Sequence, residues 1–304
     1  LDPRHLTAEL AETYAAAGVT RASLGVQDLN AHVQQAIGRV QPFEIVRQAV
    51  TNLRHAGIQQ FSFDLMYGLP TQSTDDLLKS IDLATTLAPD RFALFGYAHV
   101  PWFKRRQRLI DEATLPDAQA RFDQAEAARE ALTDLGYVAV GLDHFAKPWD
   151  ALAIAARNNA LRRNFQGYVA KIPDAILGFG PSAISTLPQG FAQNVNGVSA
   201  WARAVEAENH PVARGHAQSK DDRHRAALIE AIMCTFEADL SAFGGRAAFA
   251  SELHALAPLV SAGVVVVAGD RLFLPEPMRP FCRLVAQAFD VYGGDDAARH
   301  SRAI

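Results

Sequence analysis

Three times in the first hundred residues the chain runs through the same cycle: an amphipathic helical pattern, then a short apolar run that ends in polar residues. The first cycle opens at Thr7, a capping residue type. Leu10, Tyr14 and Ala17 share one helical face, and Gly18 stands where a left-handed residue ends a helix. Ala22 to Val26 then reads as a buried strand running into the polar segment Gln27 to Asn30. In the second cycle Val46, Ala49, Val50 and Leu53 form a stripe that stops before Gly57, and Phe61 to Leu65 reads as a strand. In the third, Ser73 caps a helix bearing Leu77, Ile81, Ala84 and Leu87, and Arg91 to Tyr97 reads as a strand. Strand starts spaced by about 30 to 40 residues have the length of a βα unit. They predict a parallel sheet covered by helices, either an open doubly wound sheet or a section of a barrel, because three strands alone cannot close one. In such folds the chemistry sits at the carboxyl ends of the strands, which singles out Gln27, Asp28, Asp64, Tyr97 and His99.

After Pro101 the pattern changes to a long helix, Leu115 to Leu135, and a short strand, Tyr137 to Leu142, that runs into Asp143-His144-Phe145-Ala146. Asn164 to Tyr168 and Leu177 to Ser185 are rich in glycine and small polar residues and read as site loops. The stretch from about His210 to Arg225 is polar. Helices, a two-stranded wing within Gly263 to Leu274 and a last helix then suggest a small winged-helix-like domain. The expected division is 1–202 and 203–304.

A length of 304 residues allows about two domains. The longest apolar stretch, Leu259 to Ala268, is interrupted by Ser261 and Gly263 and falls far short of the roughly 20 residues that span a bilayer, so no membrane span is expected. Lys and Arg number 29 against 33 Asp and Glu, a formal charge of −4 that offers no field for a nucleic-acid backbone. Acidic residues such as Glu252, Asp270, Asp295 and Asp296 argue against a DNA-binding wing. The two cysteines, Cys234 and Cys282, allow no CxxC or CxxxCxxC spacing, so this chain's own thiolates can build neither an iron-sulfur cluster nor a zinc site. Both lie on apolar helical stripes, where packing is the simpler role. No GxGxxG, GxxxxGK[ST] or GxSxG occurs.

Among the strand-end residues, Asp64 lies between Phe63 and Leu65, where its carboxylate needs a hydroxyl, amide or cation, either in a ligand or in the protein itself. Gln27 offers a neutral amide, which neighbouring backbone can equally satisfy. Arg39 can clamp a carboxylate bidentately or stand solvated. Lys104-Arg105-Arg106 with Arg108, and Arg162-Arg163, are local basic clusters that can attract an anionic substrate or form solvated faces. His99 and His144 suit proton transfer or a structural hydrogen bond.

Six strings, taken in order, carry a resemblance over nearly the whole chain: Arg21 to Asp28 (RASLGVQD), Asp64 to Pro70 (DLMYGLP), Tyr97 to Pro101 (YAHVP), Gly141 to Ala146 (GLDHFA), Arg163 to Tyr168 (RNFQGY) and Ser182 to Ser185 (SAIS). They resemble the oxygen-independent coproporphyrinogen III oxidase (dehydrogenase) family of radical S-adenosylmethionine enzymes. The first two strings are shared with wider relatives, including haem-chaperone paralogues, whereas LDHFA and RNFQGY mark the coproporphyrinogen type. The resemblance implies an α/β fold, the latter half of a three-quarter (β/α)6 barrel carrying its last three βα units, followed by a helical C-terminal domain. It implies that the parent protein holds S-adenosylmethionine and a [4Fe-4S] cluster on a CxxxCxxC loop that this chain does not contain.

Position by position, the resemblance makes Gln27, Arg39, Asp64, Ala98 and Ile184 contacts for S-adenosylmethionine and puts Gln166 near the substrate. It names no catalytic residue and no metal ligand within the chain. The implied reaction starts with reductive cleavage of S-adenosylmethionine to a 5′-deoxyadenosyl radical. That radical abstracts hydrogen from the propionate β-carbons of coproporphyrinogen III, and loss of CO2 leaves the vinyl groups of protoporphyrinogen IX. The Lys104 to Arg108 cluster is an added candidate for the carboxylates of that substrate. The parent is expected to be cytoplasmic and monomeric, with its electron donor and acceptor unassigned. This chain is expected to be its inactive latter part, and the alternative is a non-catalytic tetrapyrrole- or S-adenosylmethionine-binding relative. Departures from the family pattern are Phe63 before Asp64, Gly38 before Arg39, and the segment Met278 to Leu284. A barrel opened ahead of Ala22 to Val26 also predicts an exposed apolar strand edge there, prone to self-association.

Overall fold

The computed structural model describes residues 1–165 and 167–293. These divide into two compact units, Leu1–Ile154 and Ala155–Gly293. In the first, α1 (Ala8–Ala16) starts at Thr7, whose hydroxyl accepts from the Leu10 amide at 3.1 Å. The strand β1 (Arg21–Gln27) follows, then α2 (Ala31–Ala36) and α3 (Phe43–His55), and then β2 (Gln60–Tyr67). Next come α4 (Thr74–Thr85), held by a reciprocal capping box between Ser73 and Asp76, and β3 (Arg91–Gly96). The three strands are parallel, with Gly25 opposite Asp64 and Asp64 opposite Ala93.

Period-two alternation separates the faces of this sheet. Ala22, Leu24 and Val26 of β1, Phe61, Phe63 and Leu65 of β2, and Phe92 and Leu94 of β3 share one buried core with the apolar stripes of α3 and α4. Ser23 and Gly25, Ser62 and Asp64 therefore stand on the other face. The outer edge of β1 carries main chain. The Leu1 amine donates to the Ser23 carbonyl at 2.6 Å, and the Gly25 amide donates to the Leu1 carbonyl at 3.0 Å, the two-bond pattern of a parallel ladder. The expected apolar edge is thus corrected, because the apolar side chains of Ala22 to Val26 point into the core.

The sheet does not end at three strands. After α5 (Ala118–Asp134), β4 (Val138–Val140) and β5 (His144–Ala146) form an antiparallel hairpin, and the order becomes β1-β2-β3-β5-β4. The segment into which the expected strand Tyr137 to Leu142 runs is itself a strand whose three residues are all buried, too few to show an alternation. His144 lies opposite Ala93, so Gly25, Asp64, Ala93 and His144 occupy one row across the sheet.

The chain enters the second unit through α6 (Ala151–Arg157). There β6 (Arg162–Asn164) and β7 (Gly167–Val169) form a hairpin. The strands β8 (Ile184–Leu187) and β9 (Gly190–Asn194), the helix α7 (Val198–Glu206) and the strand β10 (Val212–Ala217) follow, with sheet order β10-β9-β8. Segments read as loops or as a polar stretch are therefore partly strands; β10 is fully exposed, which removes the alternation that sequence reading relies on. The remainder is α8 (Lys220–Thr235), β11 (Glu237–Asp239), α9 (Ala250–Ala255), α10 (Ala257–Ser261), β12 (Val266–Ala268), β13 (Arg271–Phe273) and α11 (Cys282–Gln287). The wing gains β11 as a third strand, in the order β11-β13-β12. Among the described residues no helix is long and apolar enough to cross a membrane.

Candidate cofactor site at the strand ends

Gly25 is the point on which the strand-end residues converge. The β1–β2 register shifts between Gly25 and Gln27, and Gln27 takes a left-handed backbone, φ +67°. That conformation is uncommon for a residue with a side chain and belongs to the strained positions that gather at sites. The Gln27 amide nitrogen lies where a Cβ on Gly25 would meet it at 2.8 Å, so the missing side chain leaves room for it. Arg39 reaches the same residue from beyond α2, its Nη2 donating to the Gly25 carbonyl at 2.9 Å and to Gln41 Oε1 at 3.3 Å. Gln41 donates to the carbonyls of Gly25 and Val26, both at 3.3 Å. On the other side Asp64 faces Gly25 across the ladder, and the Ser23 hydroxyl lies 2.9 and 3.0 Å from its two carboxylate oxygens.

The electrostatics follow from burial. Desolvation pushes the Asp64 carboxyl above its ordinary range, opposed by the Ser23 hydrogen bond and the nearby His144. Desolvation lowers Arg39, opposed by Asp2, whose carboxylate is 3.4 Å away. Asp2 itself is held down to about 2, chiefly by its hydrogen bond from the Arg4 side chain. The Arg39 Nε is buried and has no hydrogen-bond partner among the described residues. A buried donor without an acceptor costs stability and is suited to a ligand carboxylate.

A second layer of polar groups holds the loops behind this point. Asp28, 1% exposed, accepts from the Asn30 amide at 2.6 Å, the Asn30 side chain at 3.0 Å, Gln72 Nε2 at 2.9 Å and the Ser80 hydroxyl at 3.3 Å. Burial nevertheless pushes its carboxyl up. Gln72 also donates to Met66 O and accepts from the Leu69 amide, which ties the turn after β2 to the turn after β1. Gln34 donates to the carbonyls of Asp28 and Gln41 and accepts from the Gln41 amide, which fixes the segment carrying Arg39.

Of the residues singled out from sequence, Gln27, Arg39 and Asp64 come together here. Ala98 stands beyond the end of β3 in the same unit, its carbonyl accepting from Gln107 at 2.9 Å. Ile184 begins β8 of the second unit, where its backbone leaves no room for a side chain at Gly178. Gln166 lies outside the described residues. His99 is bound between Tyr97 at 3.3 Å and Glu112 at 3.0 Å, and His144 Nδ1 lies 2.6 Å from Asp143. Arg162 pairs with Glu230 at 2.9 Å, and the Arg163 guanidinium lies 5.3 Å from the Tyr168 ring centroid, so that cluster is built into the second unit. Ser23, Gly25 and Gln41 were not singled out; the one available signal was a glycine inside an apolar strand.

The donor set tests which groups the chain can hold. A carboxylate with a hydroxyl partner, an unspent guanidinium N–H, an amide and a glycine-lined approach fit S-adenosylmethionine, which offers ribose hydroxyls and an amino-acid carboxylate. The chain does not fit an iron-sulfur cluster. Cys234 is buried with its thiol pushed up to about 12, and Cys282 is packed with its Sγ 3.8 Å from the Met233 sulfur. Among the described residues no group of three His, Cys, Asp or Glu could hold a metal ion.

The Radical SAM superfamily pattern matches residues 2–84. The oxygen-independent coproporphyrinogen III oxidase of Bradyrhizobium diazoefficiens is 47% identical over 309 aligned positions, covering 100% of this chain and 69% of that protein. The protein of the same name from Cereibacter sphaeroides is 41% identical, covering 94% of this chain and 64% of its own length. Among solved structures, the coproporphyrinogen III oxidase HemN of Escherichia coli, described as a radical SAM enzyme, superposes with a TM-score of 0.86 at 34% identity, covering 96% of this chain and 69% of that one. The chain thus spans about two thirds of the length of the relatives it matches.

Proposed function

This chain belongs to the oxygen-independent coproporphyrinogen III oxidase family, and on that premise we propose that its first unit supplies the S-adenosylmethionine-binding side of an enzyme of porphyrin biosynthesis. The parent protein converts coproporphyrinogen III to protoporphyrinogen IX by oxidative decarboxylation of two propionates to vinyls. The observation that carries the reading is the convergence of Gln27, Arg39 and Asp64 on Gly25. Asp64 accepts hydrogen bonds from the ribose hydroxyls, Arg39 Nε donates to the methionine carboxylate, and the Gln27 amide completes the polar wall. By the family resemblance Ala98 and Ile184 are assigned to S-adenosylmethionine and Gln166 to the substrate, the stretch 1–202 to the catalytic part and 203–304 to the helical C-terminal part. When bound, S-adenosylmethionine supplies the hydrogen-abstracting chemistry. The protein's part is to orient it and to keep water away, and the buried network around Asp28 holds the loops that do so.

The test is calorimetric titration of the purified chain with S-adenosylmethionine. Asp64→Asn and Arg39→Met are each expected to weaken binding by about tenfold or more, the worth of one charge-assisted hydrogen bond. Affinity unchanged in both variants would refute the site. The parent is further expected to be a cytoplasmic monomer that releases protoporphyrinogen IX. A second reading, a non-catalytic relative that only binds tetrapyrrole or S-adenosylmethionine, draws on the buried state of both cysteines. A parent protein that binds coproporphyrin yet yields no vinyl product under reducing, anaerobic conditions would establish it.

A further inference from the structure

Beyond β3 the chain forms a loop whose shape is fixed from within while its side chains face outward. Gln107 clamps it, accepting from the Val100 amide at 2.6 Å and donating to the Ala98 carbonyl at 2.9 Å. The amides of Phe103 and Lys104 both return to the Val100 carbonyl, at 2.9 and 2.8 Å, and Arg108 Nε donates to the Pro101 carbonyl at 3.2 Å. The 3-10 turn Arg105–Leu109 within it buries no residue. Trp102 is 54% exposed, Phe103 71% and Leu109 89%, beside the exposed Lys104, Arg105, Arg106 and Arg108. Among the described residues none of these four cations is paired with a carboxylate, and the Lys104 ammonium sits 5.1 Å from the Phe103 ring centroid.

An ordered loop that holds two aromatic rings and an aliphatic side chain in water, ringed by unpaired cations, is a surface built for an amphiphilic anion with a flat apolar body. We propose that the Trp102–Leu109 loop is the docking platform for the carboxylate-bearing tetrapyrrole, its rings lying against the macrocycle and Arg105 and Arg106 taking propionate carboxylates. This deepens the functional reading above and rests on it. Charge complementarity names the occupant. Coproporphyrinogen carries four carboxylates on an apolar ring system, and the loop presents four cations around three apolar side chains. An anionic bilayer matches less well, because a chain of formal charge −4 is repelled by it as a whole. The Gln107 clamp gives the platform its use: it couples the loop to the main chain at Ala98, so that a tetrapyrrole held there is held relative to the end of β3.

The test uses the purified chain and coproporphyrin III, the stable oxidised form of the substrate, read by quenching of tryptophan fluorescence. The expected result is saturable binding that weakens with salt. Arg105→Gln/Arg106→Gln and Trp102→Ala should each weaken it by about tenfold, while the circular dichroism and the S-adenosylmethionine affinity stay as in the unsubstituted chain. Protoporphyrin IX, which has two carboxylates, should bind more weakly and lose less from the arginine substitutions. The proposal is overturned by equal affinity of the variants and the unsubstituted chain, by no binding of coproporphyrin III, or by binding to phosphatidylglycerol vesicles in its place. Failure of the broader reading looks different: S-adenosylmethionine does not bind, or the parent produces no vinyl product, whatever the loop variants do.

Discussion

Replacing Asp28 with alanine tests whether the polar layer behind the site holds the first unit together. The carboxylate is buried and accepts from the Asn30 amide, the Asn30 side chain, Gln72 and Ser80. Not every donor is stranded by its loss. The Asn30 side chain keeps the Asp76 carbonyl and Ser80, and Gln72 keeps the Met66 carbonyl with one of its two N–H groups. Three donors remain without acceptors, the Asn30 main-chain N–H, the second N–H of Gln72 and the Ser80 hydroxyl. At about 1 to 3 kcal/mol each, the gross cost is roughly 3 to 9 kcal/mol. Against it stands the relief of a carboxylate that burial already disfavours. The expected net loss is about 3 kcal/mol, read as a lower urea midpoint at unchanged slope at pH 7. A loss below about 1 kcal/mol would mean that desolvation cancels the hydrogen bonds and that the network does not hold the loops.

Further outcomes follow from other parts of the structure. The raised Asp64 carboxyl must be ionised to accept from ribose hydroxyls, so S-adenosylmethionine affinity should fall as pH is lowered through its upward-shifted pKa; a similar pH profile in Asp64→Asn would contradict this. That shift also means that the folded state takes up the proton before the unfolded chain does. Its contribution to stability therefore grows as pH falls through the folded value toward the unfolded one, and the urea midpoint of the chain should rise relative to that of Asp64→Asn over that range. Truncating Phe63, fully buried between Phe61 and Phe92, to alanine should cost about 3 to 5 kcal/mol by the same assay. Removing Asp150 from its buried pair with Arg91, at 2.8 and 2.9 Å, should cost about 3 to 5 kcal/mol. The double substitution Arg91→Met/Asp150→Leu should recover most of that loss, and no recovery would argue against a stranded charge as the cause.

The legible parts of the fold were those decided within a few residues of sequence. Thr7 and Ser73 announce helix starts, and the stripes of α3 and α4 fix which faces are buried, because capping and helical period are local. The three parallel strands were readable from their apolar runs. The hairpin of β4 and β5 was not, since three-residue strands show no period and their pairing is chosen by the neighbouring β3. The same holds for β6 to β10, whose polar residues resemble loops until paired. At the site, Asp64 and Gln27 were readable from position at strand ends, and Arg39 acquired a ligand only through the family resemblance. The meeting of all three at Gly25 depends on a shifted register and a left-handed residue, which no single-residue pattern announces.

The arrangement at the outer edge of β1 also acts as a register stop. Along that edge Ser23 and Gly25 offer one carbonyl and one amide to the main chain of Leu1, while the Gly25 carbonyl is taken by Arg39 and Gln41. Just past it the chain leaves strand geometry at Gln27. A segment added alongside β1 can zip as far as Gly25 and no farther, because one more step requires displacing a guanidinium from its carbonyl and straightening a left-handed residue. A neighbour sliding by two residues toward the strand end therefore loses ladder bonds that it cannot replace. The side chains proposed to meet the cofactor thereby also set the alignment at which this edge accepts a strand, and misregistered stacking of copies is discouraged at the end of the sheet where the site lies.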